Sequence, residues 1–101
     1  MSNQQLPELD PVLHSALRLS IISILASVKE ADFNYLKEKT NATNGNISVQ
    51  ISKLKEVEYI DVKKTFENNY PKTTCKITKK GLKAFEQYVQ DLKIILNQKI
   101  Q

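Results

Sequence analysis

Amides, hydroxyls and lysines share the run Thr43-Asn44-Gly45-Asn46-Ile47-Ser48-Val49-Gln50-Ile51-Ser52-Lys53-Leu54-Lys55 with a few aliphatic residues. The polar members are groups that exchange hydrogen bonds with base edges and answer phosphates. Ile47, Ile51 and Leu54 recur at i, i+4 and i+7, which predicts a helix burying one narrow stripe. Gly45, Asn46, Val49, Ser52, Lys53 and Glu56 then face the other way. An ordinary solvated helix would carry Glu–Lys pairs four residues apart on such a face. Small and amide side chains instead suit a helix that lies deep in a duplex major groove. A groove-reading helix from Asn44 to Val57 is therefore expected. Gly45 in its first turn costs about 1 kcal/mol against alanine. It is either a point of close approach to a phosphate or base, or a tolerated glycine near a helix end.

Other chemistry finds little support. The single histidine, His14, and the single cysteine, Cys75, cannot supply the four ligands of a closed zinc site. No metal and no cofactor are expected. His14 reads as a packing residue, and Cys75, on an alternating strand, as a small buried apolar one. Asp10, Glu30, Asp32, Glu38, Glu56, Glu58, Asp61 and Glu67 read as caps and solvated faces, with no spacing that pairs an acid with a base. No Gly-rich phosphate loop is present, so no catalytic residue and no enzyme are expected.

The 101 residues suit one small domain, with 41% hydrophobic content and a net charge of +4. A domain this small is marginal alone, which favours association. Between Lys53 and Lys83 stand nine lysines against four acids, so the positive excess sits on the candidate helix and the segment after it. Leu17 to Val28, the richest apolar run, is broken by Arg18, Ser20, Ser23 and Ser27 and is too short for a bilayer. Met1 to Asp10 does not resemble a signal peptide. A cytoplasmic protein without membrane contact is the expectation.

The elements around the helix follow from local signals. Residues 1–8 read as a loose N-terminus. Asp10-Pro11 looks like a cap with proline at the first helical position, the start of a short helix. Ser15 caps a helix to about Val28 that buries Leu17, Ile21, Ile24, Leu25 and Val28, with Ile22 on the flank. Asp32 caps a second, to about Lys39, with Phe33 and Leu36 turned inward and Tyr35 a further candidate. Asn41-Ala42 makes a turn, and Thr43 caps the third helix. Tyr59 to Phe66 alternates, with Ile60 and Val62 inward and Phe66 a further candidate. Glu67 to Pro71 is turn chemistry, and Lys72 to Thr78 alternates again around Thr73, Cys75 and Ile77. Thr78 caps a final helix to about Asn97 whose seam is Leu82, Phe85, Val89, Leu92 and Leu96, widened by Tyr88 and Ile95.

This order of elements, with Leu9-Asp10-Pro11 to His14-Ser15, "ADFNYLKEKT" (31–40), "TNGNISVQISKLKEVEYI" (43–60) and "PKTTCKITKKGLKAF" (71–85), resembles the small winged helix-turn-helix transcriptional regulators related to the MarR and ArsR groups. The likeness covers roughly residues 9 to 90. The basic wing leading into Thr-x-x-Gly and an aromatic helix is its most specific part. Two departures stand out: lysines where such wings usually carry arginines, and Cys75 where a tyrosine is common. The resemblance implies an α+β, mainly α, winged helix over residues 9–80 with a two-stranded wing, and a C-terminal dimerisation helix over 79–101.

It further implies sequence-specific binding of double-stranded DNA by a homodimer on a pseudo-palindromic operator, half-sites about 34 Å apart. Asn44, Asn46, Ser48, Val49 and Ser52 would lie near base edges, Asn46 on an adenine and Val49 on a thymine methyl. Lys53, Lys55, Lys64 and Lys72 would meet phosphates, and Asn68, Asn69 and Tyr70 would form the wing tip at the minor groove. Phe85, Val89, Leu92, Ile95 and Leu96 would form the dimer seam, because the C-terminal part of the helix, with Ile100, exceeds what one domain can cover. The rival reading is a winged helix that docks another protein, kept open by Glu56, Glu58 and Asp61 beside the same face. A small-molecule effector site at the dimer junction is neither indicated nor ruled out by the residues.

Overall fold

The computed structural model describes residues 5–98. Their order is α1 (Ala16–Val28), β1 (Glu30–Asp32), α2 (Phe33–Thr40), α3 (Asn44–Glu56), β2 (Ile60–Glu67), β3 (Tyr70–Ile77) and α4 (Lys79–Leu96). Ile100, at the end of the expected seam, lies outside the described residues.

Each helix begins where a short polar side chain can occupy a free backbone N–H. Ser15 accepts from Arg18, Asp32 from Tyr35, Thr43 from Asn46 and Thr78 from Gly81. Caps of this kind contribute about 1 kcal/mol each. Two helices end without glycine in the left-handed position. Asn41 (φ 55°) closes α2 and Glu58 (φ 64°) closes α3. The Tyr59 N–H donates to Leu54 O at 3.0 Å and the Glu58 N–H to Lys55 O at 2.9 Å, the paired closing bonds of a Schellman turn.

The sheet is antiparallel in the order β1-β3-β2. The expected two-stranded wing is its β2–β3 hairpin, closed by the two-residue loop Asn68-Asn69 between the paired Glu67 and Tyr70. Both loop residues have positive φ, 54° and 67°, the backbone a type I′ turn requires and asparagine tolerates. Pro71 is compatible with β3 because its partner Phe66 is one step from the hydrogen-bonded closing pair, so its missing N–H faces the open edge. The third strand, β1, has no counterpart in the sequence reading. Lys29 (φ 74°) turns the chain out of α1, and Glu30, Ala31 and Asp32 then pair with Lys76, Cys75 and Thr74. Three residues carry no readable alternation; their partner is more than forty positions away.

The core is Leu13, Ile21, Ile22, Leu25, Leu36, Ile47, Ile51, Leu54, Ile60, Cys75 and Tyr88. Several expectations are corrected by it. Asp10-Pro11 starts a single turn, not a helix, with the Asp10 carboxylate accepting from the Val12 N–H at 2.8 Å. Ile22 is fully buried while Val28 is 44% exposed, because α1 is covered on its Ile22 side and ends at the surface. Tyr35 and Phe66 are both exposed. On α4 the inward stripe is Gly81, Ala84, Phe85, Tyr88 and Leu92, which leaves Leu82 exposed. Cys75 is buried as expected, and burial pushes its thiol up to about 11.

Candidate nucleic-acid interface

With Ile47, Ile51 and Leu54 turned into the core, α3 holds Asn44, Gly45, Asn46, Ser48, Val49, Ser52, Lys53, Lys55 and Glu56 in solvent. Val49 is half exposed, an aliphatic side chain in the middle of an otherwise polar face. A Cβ on Gly45 would meet nothing within 4 Å, so packing within the chain does not require a glycine there.

The hairpin supplies a second wall. Register places Lys64 opposite Thr73 on the same sheet face as Ile60, Val62, Cys75 and Ile77. That face is apolar at its base, where it covers the core, and turns cationic where it passes α3. Between them lies a cleft of about 190 Å³ lined by Phe33, Ser48, Ile51, Ser52, Lys55, Val62, Lys64 and Thr73. Three hydroxyls and two ammonium groups stand around an apolar floor, a donor-rich lining matched to a phosphodiester. Thus Ser48, Ser52, Lys55 and Lys64 converge, and Thr73, expected only to share a strand face with Cys75 and Ile77, joins them.

Other candidates stand apart. Lys53 lies on the opposite flank of α3, around a shallow hollow with Pro11, Val12, Arg18, Glu56 and Val57. Lys72 is on the other face of the hairpin, its Nζ 3.1 Å from Glu67 Oε2, and that hydrogen bond and charge raise its pKa. Asn68 and Asn69 form the hairpin tip beside Tyr70, which is 74% exposed, and Phe66, 79% exposed. Gln50 also escaped the sequence reading. It is half-buried between α1 and the outer face of α3, and its spacing of four from Asn46 was the available signal.

Phe85 and Leu92 pack against the core, whereas Val89 and Ile95 are half-buried outside it and Ile94 and Leu96 are 54% and 71% exposed. Beyond Leu92, therefore, α4 carries an apolar surface that the described residues do not cover. Among the described residues no helix is long and apolar enough to cross a membrane, and no group of three or more His, Cys, Asp or Glu could hold a metal ion.

A helix-turn-helix whose second helix stands free beside a β-hairpin defines a winged helix. Residues 17–96 match the family described as winged helix DNA-binding domain, and the chain belongs to that family. An uncharacterized protein of Methanocaldococcus jannaschii is 37% identical over 81 residues, 80% of this chain and 88% of the relative. The fold is shared with a transcriptional regulator homologue from Pyrococcus horikoshii OT3, with a TM-score of 0.80, 23% identity and 85% of each chain covered. It is also shared with NadR, solved in complex with 4-hydroxyphenylacetate, with a TM-score of 0.70 and 19% identity. That match takes in 86% of this chain and 64% of NadR. The winged helix resemblance drawn from the sequence is thereby confirmed.

Proposed function

We propose that the protein is a homodimeric transcriptional regulator that reads double-stranded DNA with α3 in the major groove. The observation that carries this reading is the convergence of the exposed α3 face with the lysine- and hydroxyl-lined cleft beside the hairpin. A base-reading surface and a phosphate-holding surface then lie side by side, as docking on a duplex requires. Asn44, Asn46, Ser48, Val49 and Ser52 face the bases. Lys55 and Lys64 hold one strand in the cleft, Lys53 reaches a phosphate on the far flank, and Lys72 does so after exchanging Glu67 for DNA. Asn68, Asn69 and Tyr70 enter the adjacent minor groove. The uncovered apolar end of α4, around Val89, Ile95 and Leu96, supports pairing with the same helix of a second copy. Such a dimer binds a pseudo-palindromic site.

Selection from randomised duplexes by the full chain tests the reading. The wild type is expected to enrich a site with twofold symmetry. Val49→Glu, which sets a carboxylate against the phosphate-lined groove, is expected to abolish enrichment while melting like the wild type. Enrichment of the same site by Val49→Glu overturns this assignment of the reading face. Binding insensitive to salt would favour the rival, a protein-docking module, since lysine–phosphate contacts weaken steeply as salt rises.

A further inference from the structure

Arg18, the only arginine in the chain, connects the body of the domain to the outer face of α3. Its Nε donates to the Val12 carbonyl oxygen at 2.6 Å and its Nη1 to Gln50 Oε1 at 2.6 Å. Gln50 Nε2 in turn donates to Asn46 Oδ1 at 3.0 Å. The direction of this chain is dictated from its buried end. A guanidinium has donors and no acceptor, so the amide it meets must turn its oxygen inward. Gln50 is then left with only its NH2 group toward Asn46, which must answer with its own oxygen. The Asn46 NH2 group is what remains free on the exposed face.

Resting on the DNA-reading role proposed above, we infer that Arg18 and Gln50 set the polarity of the Asn46 amide, so that Asn46 meets the duplex as a hydrogen-bond donor. It therefore reads a base edge that carries acceptors, guanine O6 and N7 above all. The adenine pairing expected of an unconstrained asparagine needs Oδ1 turned to the base, and here Oδ1 already serves Gln50. Arg18 and Gln50 are positioning residues: neither needs to touch DNA, yet both decide what Asn46 recognises. The arrangement also ties base preference to the turn at Asp10–Leu13, because Arg18 is anchored on Val12.

The test is selection from randomised duplexes by the full chain and two variants, with thermal melts of each. Asn46→Ala identifies the position that Asn46 reads, as the one position per half-site where preference relaxes by about tenfold. Gln50→Glu then reverses the relay. Its carboxylate still accepts from Arg18, so the fold keeps that contact, but it can only accept from Asn46. The Asn46 amide must turn over and present Oδ1 to the groove. The expected result is guanine in the wild-type site and, in Gln50→Glu, a switch at that position alone to a base with an exocyclic amino donor, adenine or cytosine. The same base selected by both proteins overturns the inference, as does a loss spread evenly over all positions. Failure of the wild type to enrich any sequence would instead strike at the DNA-reading role itself.

Discussion

A Cβ built on Gly81 would lie 2.1 Å from the backbone carbonyl oxygen of Tyr59, far inside van der Waals contact. That carbonyl also accepts from the Thr78 N–H at 3.0 Å, and the Thr78 hydroxyl donates to Glu58 O at 2.7 Å. The first turn of α4 is thus docked directly on the backbone that joins α3 to β2. Only a residue without a side chain allows this approach, which fixes how closely α4 sits against the end of α3.

Gly81→Ala is expected to cost at least about 1–3 kcal/mol, because the obstacle is backbone and cannot swing aside. Urea melts measure it. Stability within a few tenths of a kcal/mol of wild type would mean that the close approach relaxes freely.

Glu58 occupies the left-handed position that ends α3, where an ordinary side chain crowds the backbone. Glu58→Gly should raise stability by about 0.5–1 kcal/mol, the relief of that crowding less the entropy glycine brings to the unfolded chain. The same melts decide it.

Burial of the ring, the hydrogen bond to the Asp10 carboxylate and that carboxylate's charge push the Tyr59 hydroxyl up to about 12, from an ordinary value of 10.0. The folded state holds this proton more tightly than the unfolded chain. The resulting stability is fully present below pH 10 and is lost as pH rises toward about 12. Cys75 adds loss of the same sign, from 9.0 to about 11. Tyr59→Phe should therefore be less stable at neutral pH yet fall less steeply through the upper window. Equal slopes in the two proteins would remove Tyr59 titration as the cause.

Lys55→Ala and Lys64→Ala are each expected to weaken DNA binding about equally across sequences and to lower the log–log salt slope by about 0.9. Lys72 is engaged by Glu67, so Glu67→Gln should tighten binding by freeing that lysine for a phosphate. Fluorescence anisotropy across a salt series checks all three. Slopes unchanged by both cleft lysines would place the phosphates elsewhere.

Ile94→Asp and Leu96→Asp alter exposed positions, where substitutions on a monomer stay within about 0.5 kcal/mol. On a dimer contact they place charges in an apolar interface. Sedimentation should find the wild type dimeric at micromolar concentration and the double variant monomeric and folded. A monomeric wild type would refute α4 as the pairing helix.

Much of the fold was legible because its signals are local. Ser15, Asp32, Thr43 and Thr78 each satisfy a backbone donor three residues on, and Ile47, Ile51 and Leu54 mark a stripe within one helix. Turn residues from Glu67 to Pro71 between alternating runs likewise announced a hairpin, although pairing of Glu67 with Tyr70 and Phe66 with Pro71 narrows the loop itself to Asn68-Asn69. Alternation also put Cys75 in the core without knowledge of what surrounds it.

Contacts between distant segments were not legible. β1 exists because Ala31 meets Cys75, and no property of Glu30-Ala31-Asp32 alone makes them a strand. Which lysines share a wall was decided by sheet register, which turns Lys64 toward α3 and Lys72 to the far face. The placement of α1 chose Ile22 over Val28 for the core, and the docking of α4 chose Tyr88 over Leu82. The bond from Arg18 to Gln50 spans 32 positions and depends on two helices packing at one angle. Helical and strand periods identify the faces a segment can offer; only the packed chain decides which face is covered, by what, and which polar groups are left to meet a partner.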